Sequence, residues 1–206
     1  MEYQYRAHDL LWIHDLQEMS GYDMFPPWVK TQWHRELPLV VRRDWSSDTR
    51  LIPIGIRGND RNQRVASWVH KTSVKRVIPP EHLIQAPIVF TSYPVFLALK
   101  ELCSISITLP WGVTGSCGYS LATGINYVRQ NSDLDIVIRC EIKLTNSLLT
   151  ILSDLLPYLP CRVDIQLETP YGGCSLTEWE QTKNSPKKVL LKTNRGPLLV
   201  DDPWHL

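Results

Sequence analysis

Apolar positions in the second half of the chain fall into two helical repeats with strand-like runs between and after them. Val95, Leu99 and Leu102 recur at helical spacing, which predicts a helix starting near Tyr93 or Pro94. Leu148, Leu149, Leu152 and Leu156 do the same over 144–159, where Thr145 or Asn146 supplies an N-terminal cap. Between these helices Leu134, Ile136, Val137 and Ile138 form a short apolar run that reads as a strand, and VDIQLET (163–169) and KVLLKT (188–193) read as two more. Gly172 and Gly173 mark a turn. Residues 105–109 (ISITL) either extend the first helix or form a short strand.

The first half is patterned differently. HDLLWIHDLQEM (8–19) reads as a short amphipathic helix with Leu11, Trp12 and Leu16 on one side, stopped by Pro26 and Pro27, and PPWV opens the next element. Residues 38–42 and LIPIGIRG (51–58) read as strands, the second closed by Gly58. NDRNQRVASWV (59–69) reads as a helix capped by Asn59 or Asp60, so that Arg57, Arg61 and Arg64 share a face. The proline-rich stretch VIPPEHLIQAP (77–87) is the expected boundary between an N-terminal domain (1–85) and a second domain (86–206). The pattern as a whole predicts an α+β protein: a small N-terminal α/β domain, then a mixed sheet flanked by helices.

Charge sharpens this division. Residues 42–76 carry nine Lys or Arg against three Asp, a net of +6, which leaves −5 for the remainder of a chain with formal charge +1. The global balance gives no reason to expect nucleic acid or an anionic membrane as a partner. No run approaches the ~18 apolar residues of a membrane span, and MEYQYRAHD lacks the pattern of a secretory signal. Five scattered cysteines (103, 117, 140, 161 and 174) without CxxC or zinc spacing read as reduced, packed thiols of a cytoplasmic protein. His8 and His14 read first as packed or capping residues.

The candidate chemistry lies in WGVTGSCGYSLATGINYVRQNSDLDIV (111–137). Asp133 and Asp135 stand two apart at a predicted strand, so both side chains point to one face. Two converging carboxylates suit magnesium, which is commonly held by one or two carboxylates together with substrate phosphates. Gly115 and Ser116 precede them, and Asp164 follows on a later strand. Gly-Ser, then Asp-x-Asp, then a lone strand Asp resembles the polymerase-beta-like nucleotidyltransferase superfamily. The distance from Ser116 to Asp133 is longer than in its compact members, so a helix or extra turn must fill it.

A more specific resemblance covers nearly the whole chain. HDLLW (8–12), PPWV (26–29), LVVRR (39–43), IPIGIRG with RNQRVA (52–66), WGVTGS and LATG (111–124), SDLDI (132–136), VDIQLETPYGG (163–173) and VLLKT with the final GP, LV and PW (189–204) occur in order. They resemble the malonate decarboxylase holo-acyl-carrier-protein synthase (phosphoribosyl-dephospho-CoA transferase) family. The resemblance implies transfer of 2'-(5''-triphosphoribosyl)-3'-dephospho-CoA to a serine of the apo acyl-carrier subunit of malonate decarboxylase, with release of pyrophosphate. It implies magnesium, as two ions, on Asp133, Asp135 and Asp164, with Asp164 a ligand or the general base. Gly115 and Ser116 would lie against the triphosphate, and Arg57, Arg61 and Arg64 would bind substrate or carrier. Two other readings keep the same residues: a nucleotidyltransferase using an ordinary nucleoside triphosphate, and a non-catalytic module that binds the carrier protein.

Overall fold

Strand pairing organises both halves of the chain. The computed structural model describes residues 3–60, 62–182 and 187–206. It divides into two compact units, Met1–Pro79 and Pro80–Leu206. Both helices and sheets are present, in an α+β architecture.

The first unit is built on β1 (Leu10–Ile13), β2 (Leu39–Val41), β3 (Leu51–Arg57), β4 (Arg64–His70) and β5 (Val74–Ile78). These form an antiparallel sheet in the order β4-β3-β2-β1-β5. β3 alternates strictly: Ile52, Ile54 and Ile56 are buried, while the residues between them are half-exposed. That is the signature of a strand with one face in a core. Segments between β1 and β2 contribute Met19, Phe25, Val29 and Trp33 to the buried set, and Val29 lies in the short helix α1 (Pro27–Gln32).

Two expected helices of this unit are strands. Residues 8–19 hold β1 followed by a single 3-10 turn (Leu16–Glu18), because Leu10, Leu11, Trp12 and Ile13 are all buried and no helix can bury four consecutive side chains on one face. Residues 59–69 hold a turn and β4. Backbone bonds from Gly58 N–H to the Gln63 carbonyl and from Gln63 N–H to the Asp60 carbonyl close the turn, and β4 returns along β3. Arg61 lies outside the described residues.

The second unit begins with α2 (Pro80–Leu83) and α3 (Pro94–Ser104). The break therefore falls before the expected one at 85/86. α2 belongs to the second unit because it packs on β6 (Trp111–Val113). The approach is so close that a Cβ on Gly112 would stand 2.1 Å from the Pro80 carbonyl carbon. α3 begins at the expected place, with Tyr93 in the capping position and Val95, Leu99 and Leu102 buried. Residues 105–109 are irregular, neither helix nor strand.

There follow α4 (Gly115–Thr123), β7 (Leu134–Arg139), α5 (Asn146–Leu155), β8 (Val163–Thr169), β9 (Gly172–Ser175), α6 (Leu176–Thr182), β10 (Val189–Thr193) and β11 (Gly196–Val200). The sheet order is β11-β10-β9-β8-β7-β6. β7 and β8 are parallel, and the other pairings are antiparallel. A parallel neighbour requires a crossover connection, here the segment carrying α5, whose N-cap Thr145 accepts from the Leu148 N–H. Leu134, Ile136 and Ile138 of β7, with Ile165 and Leu167 of β8, are buried. The alternate positions carry Asp135, Arg139, Asp164, Gln166 and Glu168. No helix among the described residues is long and apolar enough to cross a membrane, and all five cysteines are free thiols.

Candidate active site

The site is assembled by the β6–α4 turn and the parallel pair β7–β8. A turn leads the chain into β7, with the Ser132 N–H donating to the Arg129 carbonyl and the Arg129 N–H to Ser132 Oγ. Asp133 follows, exposed, just before the strand; Asp135 lies inside it, half-buried. On the neighbouring strand Asp164 is the direct register partner of Asp135. Aligned residues of paired strands share a face, so these two carboxylates stand side by side on the polar surface of the sheet.

The β6–α4 turn is tied to the same point. Thr114 donates from its N–H (2.8 Å) and its hydroxyl (3.3 Å) to the Asp135 carbonyl. This delivers Gly115 directly beside the Asp135 carboxylate. Its φ of +61° is left-handed, and a Cβ there would stand 1.9 Å from Asp135 Oδ2. Only glycine combines that backbone with that clearance. Ser116 lies in the first turn of α4, the helix that fills the long interval before Asp133.

Asp164 is held by Arg162, whose Nε and Nη2 both donate to its Oδ1, at 2.9 and 2.8 Å. Among the described residues no group of three or more His, Cys, Asp or Glu is placed to hold a metal ion. The expected three-carboxylate set is therefore not gathered here, with Asp164 engaged by a guanidinium. Asp133, just before β7, and Asp135, within it, are two residues apart in sequence. The Asp135 carboxylate itself occupies the room left by the missing Cβ of Gly115, and two aspartates with substrate oxygens are a donor set of the kind magnesium takes.

Sequence reasoning missed the polar network next along the same face. Arg139 is the register partner of Glu168. Its Nε donates to Glu81 Oε1 at 3.0 Å, its Nη1 is 3.9 Å from Glu168 Oε2, and Gln166 Nε2 donates to Glu168 Oε1. This ties α2 to the sheet behind the aspartates. The available signal was the period of two: Gln166 and Glu168 follow Asp164 at i+2 and i+4, and Arg139 follows Asp135 at i+4.

Cys117 lies in α4, buried. Burial, and then the neighbouring Cys161, Asp135 and Cys103, push its thiol up to about 12. The thiolate is the reactive form. Burial pushes the Cys103 thiol up as well, but Cys103 is exposed, so in the folded protein at pH 8 iodoacetamide should label it at least about tenfold faster than Cys117. Peptide mapping after timed alkylation reads this, and equal rates would contradict it.

The remaining candidates belong to the first unit. Arg57 and Arg64 are not on a helix face but are direct cross-strand partners at the end of the β3–β4 hairpin. His8 is the one non-glycine with positive φ (75°) among the described residues, and its Nε2 lies 3.3 Å from Arg43 Nη2. A guanidinium only donates, so that ring nitrogen is the acceptor.

Residues 83–203 match the family described as phosphoribosyl-dephospho-CoA transferase MdcG C-terminal domain, and residues 6–80 match its N-terminal domain. The chain is 40% identical to a phosphoribosyl-dephospho-CoA transferase of Klebsiella pneumoniae, over 97% of this chain and 96% of that protein. It is 37% identical to proteins of the same name from Azotobacter vinelandii (97% and 94% covered) and Pseudomonas syringae pv. tomato (97% and 93%). No solved structure matches the chain. The protein is thus an enzyme, a transferase of the nucleotidyltransferase type. Within that class it belongs to the phosphoribosyl-dephospho-CoA transferase MdcG family, the family its sequence blocks resemble.

Proposed function

We propose that this protein transfers the 2'-(5''-triphosphoribosyl)-3'-dephospho-CoA group to a serine hydroxyl of the apo acyl-carrier subunit of malonate decarboxylase. The observation that carries the reading is the alignment of Asp135 with Asp164 on parallel neighbours, with Gly115 packed closely against the Asp135 carboxylate. The serine Oγ attacks the phosphorus nearest the ribose, forming the phosphodiester. The bond from that phosphorus to the bridging oxygen of pyrophosphate breaks, and pyrophosphate leaves with the electron pair. Displacement is direct, without a covalent enzyme intermediate.

Each residue has a part in this. Asp164, held at Oδ1 by Arg162, presents Oδ2 to take the serine proton. Gly115 and Ser116 offer backbone N–H groups at the start of α4, with the serine hydroxyl, to the triphosphate oxygens. Asp133 and Asp135 would hold magnesium, which supplies neutralisation of charge on the polyphosphate. With the base reading, Asp164 need not be a ligand, although a second ion there is the other assignment.

Intact mass of purified apo carrier, after incubation with enzyme, magnesium and the triphosphoribosyl donor, tests the reading. A gain equal to the prosthetic group is expected; a gain from ATP instead, or from neither donor, would replace it. Arg162 gives a second check. The Arg162–Asp164 pair is well exposed, so its removal should change stability by less than about 1 kcal/mol. Arg162→Ala removes a positive neighbour and should tighten Mn2+ binding about three- to fivefold by electron paramagnetic resonance titration. Unchanged or weaker Mn2+ binding would count against metal beside Asp164.

A further inference from the structure

Three arginines from β3, β4 and the end of β2 come to one face of the first unit's sheet, and the chemical step proposed above gives none of them a part. Register partners Arg57 and Arg64, Gly55 and Ala66, and Pro53 and Trp68 all share the face opposite Ile52, Ile54 and Ile56. Val40 pairs with Gly55, which puts β2 and the residue two beyond it, Arg42, on the same side. Arg42 indeed lies against Gly55: a Cβ there would come within 3.1 Å of Arg42 Cδ, so the missing side chain makes room for the arginine stem. Arg64 and Ala66 are exposed, and the Arg42 side chain is 38% exposed. Asp44, 3.6 Å from Arg42 Nη1, offsets part of the charge.

The chemistry of this face is specific. Arg42 lies against Gly55, Arg64 donates from Nη1 to the Gln63 and Asp60 carbonyls at the turn, Arg57 has its Nε buried, and the half-buried Trp68 shares their face. Arginine and tryptophan are the side chains that most often dominate protein–protein binding. A sheet face floored by glycine and alanine is a poor site for a small molecule, because such ligands occupy concavities that bury most of their surface. It fits a protein surface, and its charge calls for an acidic one.

We propose that the β2–β3–β4 face, through Arg42, Arg57, Arg64 and Trp68, is the docking surface for an acidic side of the carrier protein. This rests on the reading that a carrier protein is the acceptor. Docking there selects the acceptor by charge and leaves the triphosphate donor to the second unit.

The test uses the full-length enzyme and its Arg42→Glu/Arg64→Glu variant, two partly or fully exposed positions, with circular dichroism to show that the fold is kept. Binding of fluorescently labelled apo carrier is followed by anisotropy, and steady-state transfer is measured with carrier and donor varied in turn. Charge reversal should raise the carrier Kd and carrier KM at least about tenfold while the donor KM stays within about twofold. The wild-type carrier Kd should also rise with ionic strength, more steeply than that of the variant. An unchanged carrier Kd in the folded variant overturns the proposal, as does a rise confined to the donor KM, which would make the face an anionic-donor site. A wild type that binds carrier with this charge dependence but transfers nothing would defeat the transferase reading and leave the docking surface standing. A wild type that does not bind carrier would defeat the docking surface.

Discussion

Asp135→Asn should leave the second unit folded and lower transfer to the carrier by about a hundred- to a thousandfold. The substitution is nearly isosteric and keeps the backbone bonds: the carbonyl takes both bonds from Thr114, and the residue stays paired in the strand. What is lost is a full negative charge on the oxygen that faces Gly115. Intact-mass analysis of the carrier, with far-ultraviolet circular dichroism as the control, reads both halves. A variant that stays folded and transfers at near wild-type rate would remove Asp135 from the chemistry.

Gly115→Ala should be harmful in two separable ways. The left-handed backbone at φ +61° is strained for alanine, which costs about 1 kcal/mol. The new methyl would also meet Asp135 Oδ2 at 1.9 Å, a distance no contact tolerates, so the carboxylate or the turn must shift. Shifts of about 1 Å in a catalytic group cost on the order of a hundredfold in rate. Transfer should therefore fall at least that far, while urea unfolding shifts by the backbone term plus the cost of that displacement, about 1–3 kcal/mol more. An equal loss of activity and of folded protein would instead make Gly115 a purely structural residue.

The helices legible in the sequence were those whose apolar spacing and caps agree, as in α3 and α5, where Leu99, Leu102, Leu148 and Leu152 are buried as their periodicity requires. β1 was misread because four adjacent apolar residues fit a buried strand and one side of a short helix equally well. β4 was misread because its Arg64–His70 pattern is decided by pairing with β3, a contact outside any local window. Arg57 and Arg64 are neighbours as expected, but across a hairpin rather than along a helix. At the site, the expectation that Asp133 and Asp135 share a face takes both as strand residues, whereas β7 begins at Leu134, just after Asp133. The pairing of Asp135 with Asp164 depends on register between segments almost thirty residues apart, and the engagement of Asp164 by Arg162 depends on rotamers. Neither is written in spacing alone.

The parallel ladder between β7 and β8 also has a kinetic meaning. Two strands running the same way cannot zip from a tight hairpin; they join only after the intervening chain has looped back, and such non-local contacts form late. Asp135 and Asp164 are therefore far apart in any partly folded chain and acquire their fixed spacing in a single cooperative event. During refolding from urea, recovery of transfer should lag the first gain of helical signal. A nascent or damaged chain would then stay inert towards its activated donor until its second unit is whole.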